Sequence, residues 1–342
     1  MDFNKRKIIA ELGMTHDGSL GQAKCMIIAA AECGVDAVKL QTHISEAETI
    51  KNAPKPPYFK GEGRYEFFKR TAFDMDQWKE LKECARENKV EFISSPFSIE
   101  AIDFLLELGI DCFKVPSGEI TNIPYLYHLA EAKVPVIVSS GMSSFKELDE
   151  CMEIFFKAGS NVALMQCTSE YPCDPRHVGL NIIDLFKERY PGVPLGFSDH
   201  TSGEWASIAA FQRGARLIEK HFTLSKKMYG PDAKMSMEPD EMSTLCSSIK
   251  NLETALNSPV DKSSAEEFKD MKVIFQKSIV AVKEIPEGTV ISEDMIGYKK
   301  PGTGIPTKYY RDVIGKKTKR ALHFDDILNF SDIEGLETPG LS

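Results

Sequence analysis

"GFSDHTSGEWASIAAFQRGARLIEKHF", residues 196–222, contains two short apolar runs, each with a histidine at its end: His200 and His221. An acidic residue stands close to each, Asp199 beside His200 and Glu219 two positions before His221. Read as successive strands, 195–200 and 217–222, the two runs belong to a chain in which short β-branched runs alternate with longer helical patterns.

The alternation continues in the N-terminal direction. "KIIAEL" (7–12), "AVKLQTH" (37–43), "EFISSPF" (91–97), "CFKVPSG" (112–118), "PVIVSSG" (135–141) and "VALMQCT" (162–168) complete a set of eight strand candidates. Between them lie amphipathic stretches such as "LGQAKCMIIAAAECG", "DMDQWKELKECAREN", "SIEAIDFLLELG" and "SFKELDECMEIFFKAG", and "EPDEMSTLCSSIKNLETALN" closes the series. Eight evenly spaced units in about 255 residues is the size of a (β/α)8 TIM barrel. A doubly wound open sheet is the alternative, and the absence of GxGxxG speaks against it. The reading places a catalytic barrel at 1–257, a charged linker at 258–277 and a small β-rich domain with Pro/Gly turns at 278–342. The insertion 44–74, after the second strand, is long enough to form a binding lid.

The 342 residues carry 42% hydrophobic and 27% charged side chains, an ordinary globular balance, and a net charge of −9. That sign argues against a nucleic-acid partner. No apolar run is long enough for a membrane span, and Glu11 interrupts the N-terminal run too early for a secretory signal. Eight scattered cysteines (25, 33, 84, 112, 151, 167, 173 and 246) without metal-type spacing point to a reducing cytoplasm and buried thiols, none of them catalytic.

Barrel enzymes keep their chemistry at the C-terminal ends of the strands, and there the sequence places polar residues. Glu11 ends the first strand, Lys39 and Gln41 the second, Ser94 and Ser95 the third. Lys114, Ser117 and Glu119 follow the fourth, Ser139 and Ser140 the fifth, Gln166, Thr168 and Tyr171 the sixth. Ser198 with His200, and Glu219 with His221, finish the seventh and eighth. Residues two apart share a face, so Lys39 and Gln41 point the same way, as do each of the last two pairs. Two inward lysines with too few nearby acids imply an anionic ligand. His200 and His221 on neighbouring strands suggest an open metal site suited to manganese, magnesium or cobalt rather than a closed zinc site. Lys39 is also eligible as a Schiff-base nucleophile. The serine pairs are equally readable as turn formers. His16, His43, His128, His177 and His323 read as surface or local-structure residues.

"IIAELGMTHDGSL", "VKLQTH", "KVPSGEITN", "VSSGM", "QCTSEYP", "GFSDHTSG", "IEKHFTL" and "GPD…EPDE", in that order, closely resemble the sialic acid synthase family. The tail "KSIVAVKEIPEGTVI" resembles its C-terminal antifreeze-like (SAF) domain. The resemblance implies a transferase that condenses phosphoenolpyruvate with an N-acetylated hexosamine to give a nonulosonic acid and phosphate. It also implies that Lys39 and Lys114 hold phosphoenolpyruvate, with Ser117, Ser140 and Ser198 assisting. His200 and His221 would bind the divalent metal, with manganese the usual ion. Glu11, Gln41, Tyr171 and Asp232 would lie near the sugar and the metal's water shell. Glu119 would lead as acid/base, with Glu11 and Glu219 as further catalytic carboxylates. It further implies a domain-swapped homodimer in which the small domain lends a basic residue to the partner's sugar. Here that position is Lys300, where bacterial members often have arginine, and a lysine lacks the planar two-point contact. Ser169 and Ala233 depart from the asparagine and histidine frequent at their positions, which bears on sugar identity. "KVPSGE" matches the sialic and legionaminic branches better than the pseudaminic one. The readings set against this are a metal-free Schiff-base aldolase, a non-catalytic sugar- or ice-binding protein, and a synthase acting on shorter sugar phosphates. The last would want extra arginines, which the strand ends do not supply.

Overall fold

The structure is a computed structural model that describes residues 1–54, 62–230 and 232–338. It divides into two units, Met1–Ser258 and Pro259–Ser342.

In the first unit eight parallel strands follow one another: β1 (Lys7–Gly13), β2 (Ala37–Thr42), β3 (Glu91–Pro96), β4 (Cys112–Val115), β5 (Val136–Ser139), β6 (Val162–Cys167), β7 (Leu195–Asp199) and β8 (Leu217–His221). Each pairs with the next, and β1 pairs with β8, so the sheet closes and the open-sheet alternative falls. The strands end one to three residues earlier than the sequence pattern suggests, except β1, which runs one residue further. For β4 the cause is Pro116, which has no N–H to continue the ladder.

The connecting helices begin where capping chemistry allows. The side chains of Ser19, Asp74, Ser98, Asn122 and Ser144 each accept a hydrogen bond from a first-turn backbone N–H. Each such cap is worth about 1 kcal/mol. Gly109 and Gly159 end two of the helices in the left-handed conformation. The insertion after β2 contributes two short helices, Ser45–Glu48 and Arg64–Thr71.

Alternation along each strand separates two cores. Outward residues such as Ile8, Val38, Phe92, Phe113, Val138 and Leu164 pack under the helices. Inward residues Ile9, Ala37, Ile93, Cys112, Ile137, Ala163, Met165 and Leu217 fill the barrel with Phe3. Gly196 is required in this layer, because a Cβ there would stand 2.6 Å from Met165 Cγ and 2.8 Å from Leu217 O. One step further along each strand the inward residue becomes polar, which sets the site on top of a dry plug.

The second unit has its own core, including Ile279, Ile285, Ile291, Ile305, Leu322 and Leu328, around antiparallel strands β9 (Ser278–Ala281) and β10 (Ile296–Lys299). The stretch read as a linker carries a short helix, Lys269–Phe275, and lies mostly within this unit. Among the described residues, no helix is long and apolar enough to cross a membrane.

Candidate active site

A cavity of about 490 Å³ opens at the C-terminal ends of the strands. It is lined by the inward polar residues Glu11, Lys39, Gln41, Ser95, Lys114, Ser139, Cys167, Ser198, His200, Glu219 and His221. Lys39 Nζ lies 2.6 Å from Glu11 Oε2 and 3.9 Å from Glu219 Oε1. Lys114 Nζ lies 2.5 Å from Glu219 Oε1 and 3.2 Å from Ser198 Oγ, while Ser198 Oγ donates to Glu219 Oε1 at 3.1 Å. Both lysines therefore have carboxylate partners. This corrects the expectation of unpaired ammonium groups, since strand phase brings Glu11 and Glu219 inward beside them. The pairing also decides protonation. Burial works against the Lys39 charge, but Glu11 and Glu219 hold its pKa above the usual value. Burial pushes Glu219 up, yet Lys114 and Lys39 bring it down to about 2.

The His200 and His221 rings stand 5.5 Å apart at 52°, and the Tyr171 ring lies 4.1 Å from His200 and 6.1 Å from His221. His200 Nδ1 lies 2.7 Å from the Thr168 carbonyl, to which it donates, so the neutral ring keeps its lone pair on Nε2. Burial works against its charge, but Cys167 and the Thr168 carbonyl raise its pKa, so a cation has to displace a proton there. Burial, reinforced by His200 and Lys39, keeps the His221 pKa well below the ordinary value, and its Nδ1 is buried without a partner among the described residues. Two imidazoles with a free nitrogen lone pair suit a divalent cation. The described residues contain no group of three or more His, Cys, Asp or Glu able to hold one. Water and substrate oxygens would have to complete the shell, as in an open catalytic site.

The structure does not bring every expected residue into the cavity. The Glu119 carboxylate accepts from Asn122 Nδ2 at 2.7 Å, beyond the end of β4, and does not line the cavity. Ser140 faces outward, donating to Gln166 Oε1 at 3.0 Å and accepting from Cys167 N at 3.2 Å. Ser139 takes its place in the cavity, with its hydroxyl 3.1 Å from that of Ser117. Lys300 belongs to the second unit, where its ammonium lies 5.0 Å from the Phe275 ring. Asp232 is in the cavity; burial and then Glu11 raise its pKa to about 6. Gly13, at φ +52°, leaves room for it, since a Cβ there would stand 2.8 Å from Asp232 Oδ2.

Sequence reading missed Cys167, His43, Phe68 and Arg64 as cavity residues. Cys167, dismissed with the other thiols, is inward on β6 with Sγ 4.0 Å from His200 Nδ1. Burial pushes that thiol up, but His200 and Lys114 bring it down to about 6. His43 and His16 are buried rather than superficial, and His43 lines the cavity. Phe68 and Arg64 reach the cavity from the helix Arg64–Thr71. Arg64 Nε is buried without a hydrogen-bond partner, and no carboxylate pairs with the guanidinium among the described residues.

Fold and cavity together define a (β/α)8-barrel enzyme with charged residues at its C-terminal rim. The chain belongs to the NeuB family, whose model matches residues 26–261, and residues 276–334 match the SAF domain. It is 37% identical over 334 residues to the N,N'-diacetyllegionaminic acid synthase of Campylobacter jejuni, covering 95% of this chain and 99% of that one. It is 36% identical over 327 residues to the human N-acetylneuraminate-9-phosphate synthase, covering 94% and 90%. Its structure resembles that of the sialic acid synthetase of Leptospira borgpetersenii solved with citrate, at TM-score 0.69 and 30% identity, covering 79% of this chain and 91% of that one.

Proposed function

We propose that the chain condenses phosphoenolpyruvate with the open-chain form of an N-acetylated hexosamine and water, giving a nine-carbon nonulosonic acid and phosphate. The acceptor is N-acetylmannosamine or a 6-deoxy diacetamido relative. The observation that carries this reading is the meeting of two lysine–carboxylate pairs and two imidazoles in one cavity, in a chain of the NeuB family.

Lys39 and Lys114, with Ser95, Ser117, Ser139 and Ser198 around them, bind the phosphate and carboxylate of phosphoenolpyruvate. Arg64, a cation with no internal counter-ion among the described residues, adds to the attraction. A divalent cation held by His200 and His221, manganese with magnesium or cobalt as alternatives, would supply Lewis-acid polarisation of the acceptor's aldehyde. C3 of phosphoenolpyruvate attacks the aldehyde carbon, and the aldehyde oxygen takes up a proton. Asp232, with its pKa near 6, is the group suited to give it. Water adds at C2, and Asp232, left ionised by that transfer, is the carboxylate whose pKa suits taking the water's proton, with Glu219 ionised between the two lysines in support. The resulting tetrahedral centre expels phosphate, whose charge the lysines stabilise. Gln41, Glu11 and Tyr171 face the same space and hold the sugar's hydroxyl groups. Glu119, next to the cavity residues Ser117 and Gly118, remains a candidate acid/base beside them.

The aldolase reading loses ground because a Schiff base needs an unprotonated amine, and Lys39 is held protonated. A homodimer with exchanged small domains is part of the proposal, with Lys300 reaching the partner's sugar. Phe268, Met271, Ile274 and Phe275 are exposed on and beside the helix Lys269–Phe275, an apolar patch of the kind that seeks a partner. The eight free cysteines suit a cytoplasmic setting. The test is phosphate release from phosphoenolpyruvate with each hexosamine, alongside borohydride trapping with pyruvate as a check for the aldolase.

A further inference from the structure

Behind the reacting groups a chain of hydrogen bonds leads to Gln41 and Glu11 from two residues that the mechanism leaves unused, His43 and Glu48. Glu48 Oε2 lies 2.8 Å from His43 Nδ1, His43 Nε2 lies 3.1 Å from Gln41 Oε1, and Gln41 Nε2 donates to Glu11 Oε1 at 2.6 Å. The His43 ring is stacked between Phe68 (3.6 Å) and Phe97 (4.2 Å). The His43 and Glu48 side chains are only 1% and 4% exposed.

Counting donors fixes the protons. Glu11 is ion-paired with the Lys39 ammonium through Oε2, and a carboxylate only accepts, so the group facing its Oε1 must be the Gln41 NH₂. Gln41 then turns its carbonyl oxygen to His43, and an oxygen facing a ring nitrogen at 3.1 Å requires a hydrogen on Nε2. The other ring nitrogen faces a carboxyl oxygen, so a second hydrogen lies between Nδ1 and Glu48. The pair therefore holds one proton more than a carboxylate beside a neutral imidazole, and its net charge is zero. That arrangement suits its surroundings. Two phenyl rings offer a lone charge no solvation, and Glu48 Oε1 is buried without a partner. Burial pulls the His43 pKa down, Glu48 works against that, and Arg64 and Lys39, with His16 also interacting, add to the lowering, so a neutral pair is favoured over a lone imidazolium.

We propose that His43 and Glu48 form a net-neutral positioning pair, which donates from Nε2–H to Gln41 and so holds the Gln41 amide turned toward Glu11 in the reacting cavity. Should the pair lose its proton, Nε2 becomes an acceptor, the amide turns over, and Glu11 faces an oxygen instead of an N–H. The consequence for turnover rests on the synthase reading; the position of the proton does not.

Two measurements on the full-length protein separate these. In ¹⁵N-histidine NMR, with the His43 signal assigned by its loss in His43→Asn, Nε2 is expected to be protonated across roughly pH 6 to 8, the range in which an ordinary histidine titrates. An unprotonated Nε2 overturns the proposal, whatever the enzyme's activity. In kinetics, Glu48→Gln can donate its amide to a neutral Nδ1 and is expected to keep the hexosamine KM within about threefold. Glu48→Leu is expected to raise it about tenfold or more, the effect of one misplaced buried hydrogen bond. A glutamine variant as impaired as the leucine variant also overturns it. A wild-type protein inactive on every hexosamine refutes the function proposed above, and the NMR measurement still decides this one.

Discussion

Lys114 Nζ and Glu219 Oε1 stand 2.5 Å apart inside the barrel, and Ser198 donates to the same carboxylate oxygen, so β4, β7 and β8 are tied by one buried knot. Removing one partner leaves the other buried and charged. Glu219→Gln is expected to cost about 3–5 kcal/mol in urea unfolding, with Lys114→Met/Glu219→Gln recovering part of the loss. Because the folded pKa of Glu219 is depressed to about 2, its contribution is present above the ordinary carboxylate range and is lost as pH falls toward 2. The acid limb of a stability–pH profile should therefore flatten in the variant.

The imidazole pair gives a second prediction. His200→Ala and His221→Ala should each abolish turnover and weaken Mn²⁺ binding, read by electron paramagnetic resonance, by more than about a hundredfold. A His221→Ala enzyme with full rate in chelating buffer removes the histidines from the mechanism.

Asp232 should show the opposite sign from Glu219. Its folded pKa, near 6, lies above the ordinary value, so the folded state holds the proton more tightly and stability falls as pH rises from about 4 to 6. Asp232→Asn should be more stable than the wild type by about 1–2 kcal/mol at pH 8 in metal-free buffer, with the advantage vanishing toward pH 4. The same variant should lose activity, the trade expected of a strained catalytic carboxylate.

Gly141 lies against two serines. A Cβ there would overlap Ser117 Oγ and stand 2.5 Å from Ser169 Oγ. Gly141→Ala should leave the melting temperature nearly unchanged but lower kcat/KM about tenfold, since a displaced hydroxyl at the phosphate costs about one hydrogen bond. Unchanged kinetics would take Ser117 out of the binding site.

Much of this was legible from strand phase alone. Alternation placed Lys39 with Gln41, Ser198 with His200 and Glu219 with His221 on the inner face, and the cavity contains all six. The same rule, carried through 135–141, selects Ser139 over Ser140, and carried past β2 it selects His43. Those two were misread because serine pairs and a loop histidine carry no signal unless the phase is followed to the end. Glu119 follows Pro116, Ser117 and Gly118, all of which line the cavity, and its carboxylate accepts from Asn122; strand phase says nothing of its direction, because β4 ends at Val115. Arg64 could not be found this way, because it arrives from the insertion after β2, where no strand periodicity fixes a direction.

The most direct test measures phosphate released from phosphoenolpyruvate by the purified enzyme with Mn²⁺ and a panel of N-acetylmannosamine, its 6-deoxy diacetamido relatives and simple aldoses. The account predicts release that depends on one N-acetylated hexosamine and matches, mole for mole, the nonulosonic acid formed. Absence of release with every hexosamine, or turnover with pyruvate that borohydride traps on Lys39, would contradict it.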